Sequence, residues 1–263
     1  MKVGFIGGGN MANAIVNGVI SSGLCKKDEI VVCDKNSNAL EKYNDIKTST
    51  DNKEALSADY IVLAVKPQIM PFVLEELKGY KETDDKIFVS IAAGISVETI
   101  KNALGKNAKV SRVMPNTPAL VLEGMTVVSE NDGSLSEEEF KGVLDIFNSV
   151  GKAEVLPESF INTVTGISGS SPAYVYMMIE AMGDSGVLGG LPRDIAYRLA
   201  AQSVLGSAKM VLESGKHPGE LKDMVCSPKG TTIEAVAELE KRGFRTALIE
   251  AIKKCNEKAN KLG

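Results

Sequence analysis

The sequence predicts an α/β protein, with a doubly wound, mostly parallel sheet in its first part and an all-α domain in its second. Short apolar segments rich in valine and isoleucine alternate with helical segments as far as residue 157, which is typical of a parallel sheet with crossover helices. A glycine-rich turn directly follows the first apolar segment. Beyond residue 157 no convincing strand occurs, and prolines and glycines separate the helical segments. We therefore predict two domains, 1–157 and 158–263.

The first strand, predicted over Lys2–Ile6, leads into the pattern Gly7-x-Gly9-x-x-Ala12 and a helix predicted over Ala12–Ser22. In a Rossmann domain the first glycine permits the tight turn, the second lets backbone approach a pyrophosphate, and the third small residue lets helix pack on strand. The helix N-terminus then offers unpaired N–H groups to the phosphates. A glycine-rich turn without a ligand is the alternative. The predicted dinucleotide-binding residues are Gly7, Gly8, Gly9, Asn10, Met11 and Ala12.

The same alternation predicts the rest of the sheet. Further strands are predicted over Ile30–Cys33, Tyr60–Val65, Ile87–Ile91 and Lys109–Met114. The helices between them are predicted over Asn38–Tyr43, Pro71–Lys78 and Val97–Leu104. Two more strands, Met125–Ser129 and Ala153–Leu156, extend the sheet in a direction that the sequence does not specify. They flank a helix that Ser136 and Glu139 open as a capping box.

The helices of the second domain are apolar on nearly every face, above all in the segments 174–182 and 195–212. A helix that is apolar all round must be buried all round, and a domain of about a hundred residues cannot bury several such helices by itself. We therefore expect a homodimer in which a second copy covers them. Burial against the first domain is the alternative.

The composition is that of an ordinary globular protein, with 263 residues, 44% of them hydrophobic and 24% charged. A net charge of −4 gives no reason to expect nucleic acid or an anionic membrane as partner. The chain has one histidine, His217, and four scattered cysteines, which argues against a metal site and against a nucleophile–histidine pair. The longest uncharged segment, 161–179, is too polar to face lipid. Unpaired cysteines fit a reducing cytosol, so we expect a cytoplasmic protein.

Distinctive side chains follow the predicted strands, at the sheet edge where open parallel sheets bind ligands. Asp34 suits the ribose 2′-hydroxyl of NAD, whereas Lys35 suits the 2′-phosphate of NADP, so the cofactor preference stays open. The alternative for this pair is a solvated helix start. The segment Ala64-Val65-Lys66-Pro67 and the loop around Asn116 are candidates to line the same site, and each can also be an ordinary rigid turn.

In the helical domain, the segment 226–232 (Cys-Ser-Pro-Lys-Gly-Thr-Thr) precedes a helix that runs to about Lys241. Hydroxyl groups, a glycine and free N–H groups at a helix start suit a carboxylate, and a simple N-cap is the alternative. His217 precedes Pro218 at another helix start, where a structural role is favoured over a catalytic one.

Taken together, these segments resemble the pyrroline-5-carboxylate reductases, and the likeness covers essentially the whole chain in order. The C-terminal block is its most specific part. The matching motifs are Gly7–Ala12, Ala64–Pro67, Ser90–Ile95, Arg112–Pro118, Ser168–Tyr174, Gly190–Arg193, His217–Asp223 and Ser227–Thr232.

The resemblance implies a Rossmann domain followed by a helical dimerisation domain, in a homodimer or a higher oligomer of dimers with the active site between subunits. It also implies hydride transfer from NADPH or NADH to (S)-1-pyrroline-5-carboxylate, the last step of proline biosynthesis. Gly7–Ala12 would hold the pyrophosphate, and Ala64–Pro67 would line ribose and nicotinamide with Asn116 nearby. The residues implied for the substrate are Ser227, Gly230 and Thr231 at its carboxylate and the catalytic Thr232 at its ring nitrogen.

Two features bear on this reading. Lys229 stands where the family usually has a small residue, so it would either attract the carboxylate or crowd the loop. The scarcity of acid–base side chains fits the chemistry, because a protonated cyclic imine accepts hydride without a dedicated proton donor. The alternatives are a β-hydroxyacid dehydrogenase, which would need a base such as Lys209, and a dinucleotide-binding sensor without turnover.

Overall fold

The computed structural model describes residues 1–261, and its first part is an eight-stranded sheet. The strand order is β3-β2-β1-β4-β5-β6-β7-β8, and β1 to β6 are parallel. β7 runs antiparallel to β6, and β8 runs parallel to β7. The strands are β1 Val3–Ile6, β2 Ile30–Cys33, β3 Lys47–Ser49, β4 Tyr60–Leu63, β5 Ile87–Ser90, β6 Lys109–Met114, β7 Gly124–Ser129 and β8 Gly151–Leu156.

Helices cover both faces of this sheet, as the doubly wound prediction requires. One buried apolar cluster holds Val3 and Phe5 with residues of α1 and α4, and the other holds Ile6 and Ile61 with residues of α2 and α3. Successive side chains of a strand point to opposite faces, which is why β1 contributes to both clusters. These helices are α1 Asn10–Ser21, α2 Met70–Lys78, α3 Val97–Leu104 and α4 Glu137–Asn148.

The predicted strands are confirmed to within two residues at each end, and β3 was missed because its three residues are polar and partly or fully exposed. The helix predicted over Asn38–Tyr43 is wrong. Only a single 3₁₀ turn, Ser37–Ala39, forms there, and the Asn36 side chain caps it by accepting from the Asn38 N–H at 3.2 Å. Asparagine and serine stabilise such local turns in competition with a helix.

The capping box at the start of α4 is confirmed. The Ser136 hydroxyl accepts from the Glu139 N–H at 3.2 Å, and the Glu139 carboxylate accepts from the Ser136 N–H at 2.8 Å. Two of the N–H groups that a helix start leaves unpaired are therefore satisfied by side chains.

The rest of the chain is helical, and the prediction of no strand beyond residue 157 is confirmed as far as residue 261. A short π-helix, Thr165–Gly169, separates α5 from α6. The helices are α5 Ile161–Val164, α6 Ser171–Leu188, α7 Arg193–Ser214, α8 Pro218–Val225, α9 Thr231–Lys241 and α10 Phe244–Asn260.

The chain divides into two compact units, which we describe separately. The first unit holds residues 1–170 and the described residues from 254 onward, and the second holds Ser171–Lys253. Each of the three buried apolar clusters among residues 1–261 lies in the first unit. The boundary at residue 157 stays a prediction.

Polar side chains fasten the end of α10 to the segment between β8 and α6 within the first unit. The Asn162 amide donates to Asn260 Oδ1 at 2.9 Å, and the Gly166 N–H donates to Asn256 Oδ1 at 3.1 Å. The buried Arg112 joins this network, since its Nη2 donates to Asn162 Oδ1 at 2.8 Å. The first unit is therefore completed by residues from the far end of the sequence.

No helix within residues 1–261 combines the length and the apolar character needed to cross a membrane.

Candidate functional site

A cleft of about 820 Å³ lies at the carboxyl ends of the parallel strands, all within the first unit. It collects most of the predicted dinucleotide-binding residues, and the exceptions are Gly8, Ala12 and Asn116. The predicted residues that line it are Gly7, Gly9, Asn10, Met11, Asp34, Lys35, Ala64, Val65, Lys66 and Pro67.

The two outer glycines of the β1–α1 turn have different tasks. Gly7 has a φ of 105°, and a Cβ there would lie 2.6 Å from the Ala64 carbonyl oxygen. A side chain at position 7 is therefore excluded by both conformation and space. Gly9, by contrast, has no atom within 4 Å of an added Cβ, so position 9 borders open space in the cleft.

The start of α1 fits a phosphate group. Gly9 is its N-cap, and within residues 1–261 no side chain caps it, so the N–H groups of the first turn are available to an anion. Ala12 is fully buried in the core below the turn, where its small side chain lets the helix lie close to the sheet. It supports the site without lining it.

Asp34 fastens the end of β2 to the glycine turn. Its Oδ2 accepts from the Gly8 N–H at 2.7 Å, and its Oδ1 accepts from the Asn36 N–H at 2.8 Å. Lys35 lines the cleft as well, and its ammonium pairs with the Glu76 carboxylate at 3.1 Å. Both residues predicted to choose between the two cofactors therefore have protein partners.

Tyr43 supports the same turn from below. Its hydroxyl lies 3.4 Å from the Gly9 carbonyl oxygen and donates to it. Burial, reinforced by the negative charge of Asp34, raises the pKa of Tyr43 well above its usual value. The phenol therefore keeps its proton and its role as a donor throughout the physiological pH range.

Further residues that line the cleft lie in β1, after β2 and β3, around the start of α2, after β5 and in the β6–β7 loop. Sequence reasoning missed some of these residues, although the rule that ligands bind at carboxyl ends of parallel strands applies to β5 as it does to β1. The lining residues outside the individually predicted ones are Ile6, Asn36, Asn52, Ile69, Val73, Ile91, Ala92, Ala93, Pro115 and Thr117, and the last two belong to the predicted loop around Asn116.

Asn116 does not line the cleft, although its neighbours Pro115 and Thr117 do. Its side chain is buried, with Oδ1 accepting from the Met125 N–H at 2.9 Å and Nδ2 donating to the Ser168 carbonyl oxygen at 3.0 Å. Both ends of the amide are therefore used within the protein. The residue braces the loop that carries Pro115 and Thr117 against β7 and the π-helix.

The predicted substrate residues lie together in the second unit, at the start of α9. Gly230 is the N-cap of this helix, and its N–H donates to the Ser227 carbonyl oxygen at 3.0 Å. A Cβ at position 230 would overlap the Ser227 hydroxyl in its present position and lie 3.1 Å from the Ser227 carbonyl oxygen, so glycine leaves room for that hydroxyl beside the helix start. In the described chain no side chain caps α9, which leaves the N–H groups of its first turn, from Thr231 onward, available to an anion.

Lys229, directly before that N-cap, has a φ of 59°. This left-handed conformation is unfavourable for a residue with a Cβ and costless for glycine, which gives a physical reason for a small residue at this position. The lysine is exposed, so its side chain does not fill the turn.

His217 is the N-cap of α8, and its Nδ1 accepts from the Gly219 N–H at 3.0 Å. The structural role favoured by its position before Pro218 is therefore confirmed. Within residues 1–261, histidine, cysteine, aspartate and glutamate side chains form no group that could hold a metal ion.

Two family models match the chain. Residues 2–94 match a model described as NADP oxidoreductase, coenzyme F420-dependent, and residues 158–262 match one described as pyrroline-5-carboxylate reductase dimerisation. The first lies on the strands and glycine turn that build the cleft. The second lies on the helical part that carries the segment before α9.

Full-length relatives agree with these models. A pyrroline-5-carboxylate reductase of Escherichia coli is 52% identical, over 99% of this chain and 98% of its own length. One of Methanosarcina acetivorans is 43% identical, over 100% and 98%. The crystal structure of a Plasmodium falciparum pyrroline carboxylate reductase with NADP bound superposes with a TM-score of 0.92 at 33% identity, over 100% of this chain and 98% of that one.

Alanine at position 9 should lower dinucleotide affinity, whereas alanine at position 7 should lower the stability of the fold. Gly9→Ala places a methyl group in open cleft space where the pyrophosphate would bind, so we expect dinucleotide affinity to fall about tenfold or more with thermal stability unchanged. Gly7→Ala forces a strained φ and a clash with Ala64, so we expect a loss of roughly 2 kcal/mol or more of stability.

Thermal unfolding and calorimetric titration with NADP⁺ and NAD⁺ measure the two effects. Wild-type affinity in Gly9→Ala would contradict the assignment of this turn to the pyrophosphate.

Proposed function

The chain belongs to the pyrroline-5-carboxylate reductase family, and from that premise we propose how its residues share the reaction. It reduces 1-pyrroline-5-carboxylate to proline with NADPH as hydride donor. The observation that carries the proposal is the pairing, in one chain, of a glycine-turn cleft with an uncapped helix start suited to a carboxylate. The first binds the dinucleotide, and the second binds the substrate.

The cleft holds the cofactor through backbone at one end and apolar side chains at the other. The glycine turn and the first N–H groups of α1 bind the pyrophosphate, as their open space and unpaired donors favour. Ala64, Val65, Lys66 and Pro67 line the ribose and nicotinamide portion. When bound, the nicotinamide supplies the hydride that the imine carbon accepts.

Asn116 acts indirectly in this scheme. Because its amide is bonded to Met125 and Ser168, it holds Pro115 and Thr117 in place while these two residues contact the nicotinamide portion. The prediction that Asn116 lies near the nicotinamide is thus kept, with positioning as its role.

The substrate carboxylate binds at the start of α9. The Ser227 hydroxyl and the Thr231 N–H are its donors, and the positive end of the helix dipole favours its charge. Gly230 contacts the carboxylate without donating to it, because its own N–H is bonded to the Ser227 carbonyl oxygen. Thr232, one residue further along, directs its hydroxyl to the ring nitrogen. The side chains bind and orient the substrate, and no further acid is needed because the imine nitrogen is already protonated. His217 serves as a helix cap and takes no part in the reaction.

The helical part makes the protein a homo-oligomer, and we propose that its unit is a homodimer, with higher oligomers built from such dimers. The second unit leaves many large apolar side chains exposed, which a second copy would cover. The most exposed are Met177, Leu188, Leu212, Met224 and Val225. Four free cysteines fit our proposal of a cytoplasmic location, and the net charge of −4 fits the absence of a nucleic-acid partner.

The proposed function is tested by mixing the purified protein with NADPH and pyrroline-5-carboxylate and following both the loss of absorbance and the formation of proline. We expect the two to proceed in equal amounts. Dinucleotide binding without proline formation would contradict the function and favour a sensor.

Removing the Thr232 hydroxyl should impair catalysis and spare the cofactor. For Thr232→Val we expect kcat/KM for the imine to fall about 10- to 100-fold, the effect of losing one hydrogen bond to a charged group. NADP⁺ affinity, measured by calorimetry, should stay within about twofold because position 232 is assigned to the substrate. Thr232→Ser keeps the hydroxyl and should retain most activity. Equal losses of catalysis and cofactor affinity in Thr232→Val would contradict the role.

Two substitutions at Lys229 separate its charge from its backbone strain. Lys229→Ala removes the charge and keeps the Cβ, so we expect the KM for the imine to rise about threefold with stability unchanged. Lys229→Gly should raise KM equally and also increase the free energy of unfolding by about 0.5–1 kcal/mol, because glycine relieves the positive φ. Steady-state kinetics and denaturant titration measure the two quantities. A lower KM in both variants would indicate that the lysine crowds the loop.

A further inference from the structure

Lys35, the cation that follows β2, is held by a carboxylate from another element. Its Nζ lies 3.1 Å from Glu76 Oε1, on α2. The second oxygen of Glu76 accepts from the Asn52 side-chain amide at 2.9 Å. Asn52 is buried, with 3% of its surface exposed, and it lines the cleft. A buried amide therefore fixes Glu76 in the position from which it binds Lys35.

Asp34, the neighbouring carboxylate in the cleft, is not a partner of Lys35. Both oxygens of Asp34 already accept backbone N–H groups, from Gly8 and Asn36. Lys35 is exposed and reaches Glu76 with a long flexible side chain, so it is free to exchange one anionic partner for another.

The end of the second strand is where this fold binds the adenosine ribose, and it is there that NADPH differs from NADH. NADPH carries a phosphate of about −1.5 to −2 charge in place of the 2′-hydroxyl. An ammonium at this point favours the phosphate, and a carboxylate disfavours it.

We propose that Glu76 is a specificity-determining residue, which lowers the preference for NADPH over NADH by competing with the 2′-phosphate for the Lys35 ammonium. Binding of NADPH must break the Lys35–Glu76 pair and bring the phosphate near the Glu76 carboxylate. Binding of NADH requires neither change. The inference rests on the proposed function, since it assigns this cleft to the cofactor.

The test is Glu76→Gln, which removes the charge and keeps an oxygen that can accept from Asn52. Calorimetric titration should show NADP⁺ binding about two- to fivefold tighter, the range expected for one exposed ion pair, with NAD⁺ affinity unchanged. The matched control is Glu75→Gln. Glu75 is the preceding residue on α2, its side chain is 79% exposed, and it lies near Lys78. We expect no change in either affinity for that variant.

A double substitution tests whether Glu76 affects NADP⁺ affinity through Lys35. Lys35→Gln should weaken NADP⁺ binding. Adding Glu76→Gln to it should raise the affinity by a smaller factor than Glu76→Gln does alone, because only the direct repulsion between Glu76 and the phosphate is then relieved and no ammonium is released. The inference is overturned if Glu76→Gln changes both affinities equally, if the double variant gains as much as the single one, or if neither dinucleotide binds the wild-type protein.

These measurements need no turnover. A wild-type protein that binds NADP⁺ but forms no proline would contradict the proposed function. The role of Glu76 would still be tested by comparing the NADP⁺ and NAD⁺ affinities of the wild type and of Glu76→Gln. Thermal unfolding of each variant confirms that it is folded before the titration.

Discussion

Parallel pairing of β1 to β6 is the constraint on which the cleft proposed for the cofactor depends. Because these six strands run in the same direction, their carboxyl ends lie at the same edge of the sheet, and each connection must cross back to the opposite edge. β1 lies between β2 and β4, and the chain therefore leaves it towards one side and later continues on the other, which opens a crevice at its carboxyl end. Gly7 stands at that point, and its lack of a side chain lets the turn pass the Ala64 carbonyl group and leaves the crevice open.

The two units differ in how much of their apolar surface they bury. The first buries its large side chains between sheet and helices, with Phe5, Phe88 and Phe147 fully covered. The second leaves Leu188 and Leu212 more than four-fifths exposed. Such a surface is typical of one that another surface covers, so the residues before α9 that we propose to bind the substrate belong to a unit that depends on assembly.

Local sequence patterns predicted most of the fold. The features that they did not predict depend on pairings between residues far apart in the sequence. Apolar runs located the core strands, and the glycine turn located the cleft, because each signal lies within a dozen residues. The strand β3 escaped because it is polar and lies at the sheet edge, and the direction of β7 depends on its pairing with β6. The role of Asn116 depends on Ser168, 52 residues away, and that of Lys35 on Glu76, 41 residues away. A local sequence pattern of about a dozen residues cannot contain both members of either pair.

Because the end of α10 belongs to the first unit, that unit is completed only after the last helix has been synthesised. The hydrogen-bond partner of Asn162 is Asn260, 98 residues later in the chain, and that of Gly166 is Asn256, 90 residues later. At a translation rate of about 5–20 residues per second, the ribosome needs about 5–20 s to make that stretch. The sheet can form in the meantime, whereas the segment from 162 to 166 stays without these partners until the last helix has emerged.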